Sequence, residues 1–362
     1  MNRQLVLWGP PIVSSSPGDL SFPEDVAAWV SKCSSVGITK IIGGDQTRVL
    51  TEAANAVGIE VHPYVNYNSF PRHGSSKVGY GWSLDFLRPV VGSSEARAVM
   101  DRHRPIWDSP TVTTTMTDFA RQHPQFRSLT RDRSYALRPG EDLYLSPAFP
   151  EVRAHQTKVF LDALESGGGD GLQVEFVLGN EDENGVVPYG YEDRVVSEFQ
   201  DKHGSSPFNL PNNDADWMQF RSDYITRVLI ETRDKVKQRF PDISFSTTII
   251  AGEQEEYIKV LQDWPAWVDL GIVDEFYLWF RTDSNLKKVA HQTKYAADLI
   301  KGRCPLIVEL SCYHPGSFQE SDLMVEGARV ALANGANAVG IYRSHAVDQL
   351  DFWPVLEEIA KL

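Results

Sequence analysis

Apolar residues recur along this chain in two rhythms. Short runs rich in Val, Ile, Phe and Tyr alternate with longer stretches in which apolar side chains return every three or four positions. The first rhythm predicts strands and the second predicts helices with one buried face. The strand-like runs are LVLWG (5–9), ITKIIGG (38–44), IEVHPYVNY (59–67), GLQVEFVLG (171–179), ISFSTTIIA (243–251), VDEFYLWF (273–280), PLIVELSCY (305–313) and NAVGIYRS (337–344). Helical stretches fall between them: PEDVAAWVSKCSSVG and QTRVLTEAANAVG, each stopped by a glycine (Gly37, Gly58), then the run from 216 to 240, EEYIKVLQDW, NLKKVAHQTKYAADLIKG, SDLMVEGARVALANG and FWPVLEEIAKL. Strand, helix and stop repeated eight times predict a parallel (β/α)8 TIM barrel, one domain over residues 1–362.

One stretch breaks the rhythm. Residues 68–148, rich in Gly, Ser, Pro, Arg and Trp, separate the third and fourth strands, with one helix-like piece at 112–124. An excursion this long after a barrel strand is expected over the C-terminal face, where such barrels build their sites.

Within the strands, acidic residues at inward parity are the chemical signal. Leu172, Val174, Phe176 and Leu178 share one face of the fourth strand, which leaves Gln173 and Glu175 pointing inward; Leu306, Val308 and Leu310 likewise leave Glu309 inward on the seventh. A buried carboxylate is costly unless it is paired or used. Two carboxyls at one mouth suit hydrolysis of a glycosidic bond, one donating a proton to the leaving oxygen and the other attacking the anomeric carbon or activating water. Glu275 in VDEFYLWF has the same parity and is a third candidate for the catalytic pair, or otherwise a sugar ligand or a structural partner. Trp8, Tyr64, Trp82, Tyr277, Trp279 and Tyr342 are candidate stacking platforms for a sugar. His62, Asn66, Arg281, Arg343 and His345 are candidate hydrogen-bonding groups, the two arginines suiting an acidic sugar.

Two resemblances add to this reading. Glu on strands four and seven resembles the large clan of retaining barrel glycosidases, which implies Glu175 as acid/base and Glu309 as nucleophile, with Val174 standing where that clan carries Asn. Separately, DFARQHPQFRSL (118–129), LYLSPAFPEVRAHQTKVFLDALE (143–165), DGLQVEF (170–176) and the helix from 216 resemble a glycosyl-hydrolase-like, family-10-like barrel family. That family carries an acidic residue five positions after the Asp of its DG pair. Asp170 and Gly171 match the pair, and Glu175, one methylene longer than the family's Asp, takes the acidic position.

Composition narrows the partners. A net charge of −14 opposes binding to nucleic acid, whose phosphates need a basic surface. No apolar run approaches the ~20 residues of a membrane span. Three cysteines, two of them on one extended strand, predict no disulfide framework. GNEDENG (179–185) begins like a calcium loop, but Tyr191 falls where the bidentate Glu belongs, so a solvated acidic loop is expected. GGGDG precedes its strand, whereas a phosphate cradle follows one. There is no GxSxG, HExxH or Walker lysine. The expectation is therefore a glycoside hydrolase acting on an oligo- or polysaccharide, with no cofactor and no metal. A non-catalytic carbohydrate-binding barrel and a lyase of uronic-acid polymers are the alternatives. The protein is expected in the cytoplasm, or outside it if a signal peptide is missing from this sequence.

Overall fold

In the computed structural model the eight apolar runs form eight parallel strands hydrogen-bonded in sequence order, and β8 closes on β1. The structure describes residues 4–9, 23–43, 48–66, 118–133, 144–176, 181–182, 184–280, 283–313 and 316–362. The strands are β1 (Leu5–Trp8), β2 (Lys40–Gly43), β3 (Glu60–Asn66), β4 (Gly171–Glu175), β5 (Ser244–Ile250), β6 (Glu275–Trp279), β7 (Leu306–Ser311) and β8 (Ala338–Tyr342). Each is shorter than its apolar run, because the flanking residues carry the turns into the helices.

The helices follow the second rhythm: α1 (Pro23–Ser35), α2 (Arg48–Asn55), α3 (Asp118–Gln122), α4 (Pro150–Gly167), α5 (Asp193–His203), α6 (Ala215–Arg239), α7 (Gln254–Tyr257), α8 (Trp264–Asp269), α9 (Leu286–Ile300), α10 (Ser321–Ala333), α11 (Ser344–Gln349) and α12 (Trp353–Ile359). Gly37 and Gly58, expected as stops, take positive φ (85° and 76°) in the turns that lead into β2 and β3. Asp214 caps α6 by accepting from the Trp217 amide, and Asn285 caps α9 through the Lys287 and Lys288 amides.

Two connections differ from the pattern read in the sequence. The single helix expected over EEYIKVLQDW is α7 followed by a 3₁₀ turn (Ile258–Val260), broken where Leu261 adopts φ 61°; α8 then starts afresh with Pro265 in its first turn. The crossover from β3 to β4 is made by α4, and α5 lies in the β4–β5 connection; neither was expected as a helix.

Strand parity divides the core. Leu5, Leu7, Ile41, Val61, Leu172, Val174, Phe245, Phe276, Leu278, Val308 and Ile341 point outward and are buried beneath the helices. Cys33, Cys304 and Cys312 are free thiols. Among the described residues no helix is long and apolar enough to cross a membrane. Most of 68–148 lies outside the described residues. Its described part packs on the β4–β5 connection: Thr130 bridges Tyr189, and the Gly190 and Tyr191 amides donate to the Leu129 carbonyl.

Candidate active site

The inward positions form three levels between the two ends of the barrel. At the floor, Lys40 on β2 donates to both carboxylate oxygens of Glu275 on β6 (2.7 and 2.9 Å), and Ser244 on β5 adds a third donor at 3.0 Å. Both charged groups are buried, so each answers the other's desolvation. Glu60, 3.4 Å from Lys40, is held down at about 2, first by the His62 side chain beside it. His62 is fully buried against Gly171; a Cβ at Gly171 would stand 2.3 Å from its ring.

The DG pair reads structurally here. Gly171 makes room for the imidazole. Asp170 clamps β3 to β4, accepting from the Val61 amide through its side chain while its own amide donates to the Val61 carbonyl.

Above the floor lies an apolar plug of Val6, Trp8, Ile42, Tyr277, Ile307 and Ala338, with Tyr64 and Tyr342 packed on it. Trp8 meets Tyr64 edge-on at 5.2 Å, Tyr277 edge-on at 5.6 Å and Tyr342 at 6.0 Å. Gly340 on β8 carries no side chain beside this indole; a Cβ there would sit 3.4 Å from Trp8 Nε1. Gln173 is locked below Glu175, donating to Thr248 Oγ1 (2.9 Å) and accepting from Ser246.

At the mouth stand the two glutamates. Glu175 ends β4, level with Asn66 on one side and Thr248 on the other. Glu309 lies between Trp279 and Gly340. Burial pushes the Glu175 carboxyl up to about 8, and burial followed by the Glu175 charge raises Glu309 well above the carboxylate range. Among the described residues neither carboxyl receives a hydrogen bond that would offset this. The two are thus close enough to oppose each other's ionisation, so their titration belongs to the pair. Tyr342 feels both: its hydroxyl is pushed up to about 12 by burial, against the lowering effect of Arg343 and with the two glutamates adding to the rise. The buried indole N–H groups of Trp8 and Trp279 have no acceptor among the described residues.

Beyond Tyr342 the chain turns through Arg343, whose guanidinium lies 4.6 Å over the Tyr313 ring and whose Nε donates to His345 Nδ1 at 2.8 Å. Burial and then Arg343 push His345 down to about 4, so it is a neutral acceptor at ordinary pH.

The structure therefore gathers Glu175, Glu309, Trp279, Tyr342, Arg343 and His345 at one end of the barrel. It separates others from them. Glu275 is the correction to the inward-parity reading: it opens β6 rather than ending it, and its carboxylate is held by Lys40 at the floor. His62 shares that floor. Trp8 and Tyr277 are 3% and 0% exposed, so their ring faces are taken up by the plug and offer no platform to a sugar. Tyr64 is half-buried on the same plug. Trp82 and Arg281 lie outside the described residues, and Asn66 is placed by its backbone alone. Tyr313, 40% exposed at the end of β7, was not singled out from the sequence, although it continues the parity of Glu309 and Ser311. Lys40 was also missed, a lone cation inside the apolar run ITKIIGG and the natural counterpart of Glu275.

A family model described as "glycosyl hydrolase-like 10" matches residues 84–304, more than half of the chain. The chain belongs to the glycosyl hydrolase-like 10 family. The matched residues include Asp170, Gly171 and Glu175 and stop short of Glu309. No curated protein matches the chain in sequence. Among solved structures, the glycoside hydrolase domain of PgaB (BpsB) from Bordetella bronchiseptica superposes with a TM-score of 0.67 at 11% identity, over 99% of this chain and 98% of that one. A β-galactosidase from Rahnella sp. R3 matches with a TM-score of 0.58 at 13% identity, and the β-galactosidase of the psychrophilic Marinomonas ef1 with 0.56 at 11%. These matches cover 100% and 94% of this chain but 57% and 54% of those enzymes, so the chain spans little more than half their length. At such identities the likeness is one of fold. A glycosyl hydrolase-like barrel is thus both the family and the architecture.

Proposed function

We propose that the protein is a glycoside hydrolase that cleaves an O-glycosidic bond between Glu175 and Glu309. The observation that carries this reading is the pair itself: two carboxyls from non-adjacent strands, at the same mouth, each raised by burial and one raised further by the other. A retaining reaction needs one proton between them. Glu175 donates it to the leaving oxygen as the bond to the anomeric carbon breaks, Glu309 forms the glycosyl ester, and Glu175 then takes a proton from the water that releases the sugar. Burial and the Glu175 charge favour the protonated form of Glu309, so before attack its proton must pass to Glu175 or to solvent; the positive charge developing on the sugar ring favours the ionised form. The indole N–H of Trp279, which has no acceptor among the described residues, suits a sugar hydroxyl.

Chromogenic aryl glycosides test the assignment. Glu175→Gln is expected to lower kcat/KM for a poor leaving group by roughly 10²–10⁴ and to spare kcat/KM for an activated one, whose kcat falls because the second step has lost its base. Glu309→Gly is expected to abolish both, with azide restoring turnover as a glycosyl azide of inverted configuration, whereas azide on Glu175→Gln should give the retained one. Wild-type rates in both variants would end the proposal. The anomer released first, read by NMR, decides between retention and inversion.

A further inference from the structure

Among the described residues, the hydrolase reading leaves a cation at the mouth without an anionic partner. Buried or half-buried guanidinium groups elsewhere are answered within the protein: Arg153 by Glu231, Arg233 by Asp234, Arg131 and Arg221 by backbone carbonyls. Arg343 is different. It is half-buried, yet among the described residues it meets two aromatic faces, the Tyr342 hydroxyl and the neutral ring of His345, and no carboxylate.

In a chain of net charge −14 an unanswered arginine is not a shortage of acids. Its side chain is also held in place. The face of the guanidinium is covered by Tyr313, its Nε is spent on His345 and it also meets the Tyr342 hydroxyl, which leaves the rest of its N–H edge for a ligand. That edge is the part of arginine that matches a carboxylate or sulfate in a fork of parallel N–H bonds. The position is right for a neighbouring sugar. Tyr342 feels the charges of Arg343 and of both glutamates, and its ring centre is 5.8 Å from the guanidinium. Tyr313, beside it, presents a partly open aromatic ring of the kind that stacks on a sugar.

We propose that Arg343, carried by Tyr313 and His345 at the end of β8, reads an oxyanion on the substrate, so that the glycan accepted at this mouth bears a carboxylate or sulfate next to the bond that is cleaved. This rests on the hydrolase reading for the position of the bond, but recognition can be measured without turnover.

The test is calorimetric binding, with cleavage assayed in parallel, on the full chain. The probes are uronate-containing oligosaccharides, the same compounds with the carboxyl reduced to an alcohol, sulfated oligosaccharides, and neutral glucose and galactose oligosaccharides. Acidic members are expected to bind more tightly than their neutral counterparts, and more weakly as salt is raised. Arg343→Gln is expected to weaken them roughly 10- to 100-fold, the worth of a charge-assisted hydrogen bond, and to weaken neutral members far less, so that the preference for acidic members is lost; Arg343→Lys should keep part of the preference. A response to uronates alone names a carboxylate, and one to sulfated probes alone names a sulfate. Should Arg343→Gln melt early, Tyr313→Ala, which removes the support and leaves the charge, is expected to lower acidic binding by a smaller factor. Neutral glycans bound or cleaved as well as acidic ones, with no effect of Arg343→Gln, would overturn the anion site and leave the hydrolase intact. No glycan of any charge bound or cleaved would overturn both.

Discussion

Burial acts on both Glu175 and Glu309 at one mouth, and among the described residues neither receives a hydrogen bond that would offset it. Each is an acid pressed toward its neutral form by its surroundings, and the second is pressed further by the first. Removing the Glu175 charge must therefore let Glu309 ionise more easily. With an activated substrate that needs no general acid, the acidic limb of the rate profile should move to lower pH in Glu175→Gln; an unmoved limb would mean the two carboxyls do not communicate. The same elevation appears in stability. A carboxyl whose folded value is raised from 4.5 to about 8 favours the folded state fully below the unfolded value, and that contribution is lost as pH rises through the folded one. Thermal denaturation followed from pH 5 to pH 8 (roughly the window between those two values) should show wild-type stability declining faster than that of Glu175→Gln. A parallel decline in both would place the titrating group elsewhere.

At the scale of the strand, much of this was legible and one dimension was not. Period-two alternation assigned Leu172, Val174, Leu306 and Val308 to the helices, where the structure has them in the core, and left Glu175 and Glu309 at the opposite, inward parity. Parity gives the face a residue occupies but not its height along the barrel axis. Height depends on how each strand is staggered against its neighbours, which is fixed by pairs such as Ser246 with Glu275 and Trp279 with Glu309. Glu275 and Tyr277 were read at the mouth for that reason, though they belong to the floor and the plug; Trp8, level with Tyr342, is set apart by its burial in the plug. The crossover helix α4 escaped notice because it follows a long irregular stretch that hid its start, and the α7–α8 break because no residue type announces a left-handed Leu261. The floor pair makes its own prediction. Lys40→Met leaves Glu275 buried with Ser244 and a distant Tyr277 hydroxyl as its remaining donors, and should cost about 3–5 kcal/mol in denaturant unfolding. Lys40→Met with Glu275→Leu should recover most of that loss. If the single change is as mild as the double one, the ion pair is not what holds the floor.

Across the whole molecule, the barrel is joined by a second layer formed where the connection after β3 meets the connection after β4, the two loops that flank Glu175. Glu192 is the joint. It is 3% exposed and accepts from the Leu129 amide at 2.9 Å, while Arg221 beneath it gathers the Val187 and Tyr189 carbonyls and Arg131 reaches across to the Leu210 carbonyl. Burial raises Glu192 to about 7, against the lowering pull of the Leu129 amide and the Arg221 charge. The neutral carboxyl is therefore the form the docked layer prefers, and docking should weaken as pH rises from 4.5 through 7. Glu192→Gln keeps an uncharged acceptor and should flatten that dependence. Glu192→Ala strands a buried N–H, at about 1–3 kcal/mol, and should speed amide exchange at 128–133 and 187–192 at every pH. The barrel strands should exchange as before, because their hydrogen bonds run between neighbouring strands and not through this joint. If exchange in β4 and β5 accelerates by the same factor, the layer and the barrel unfold as one unit. If only the layer loosens and turnover falls with it, the loops around Glu175 complete a site that the barrel alone leaves open.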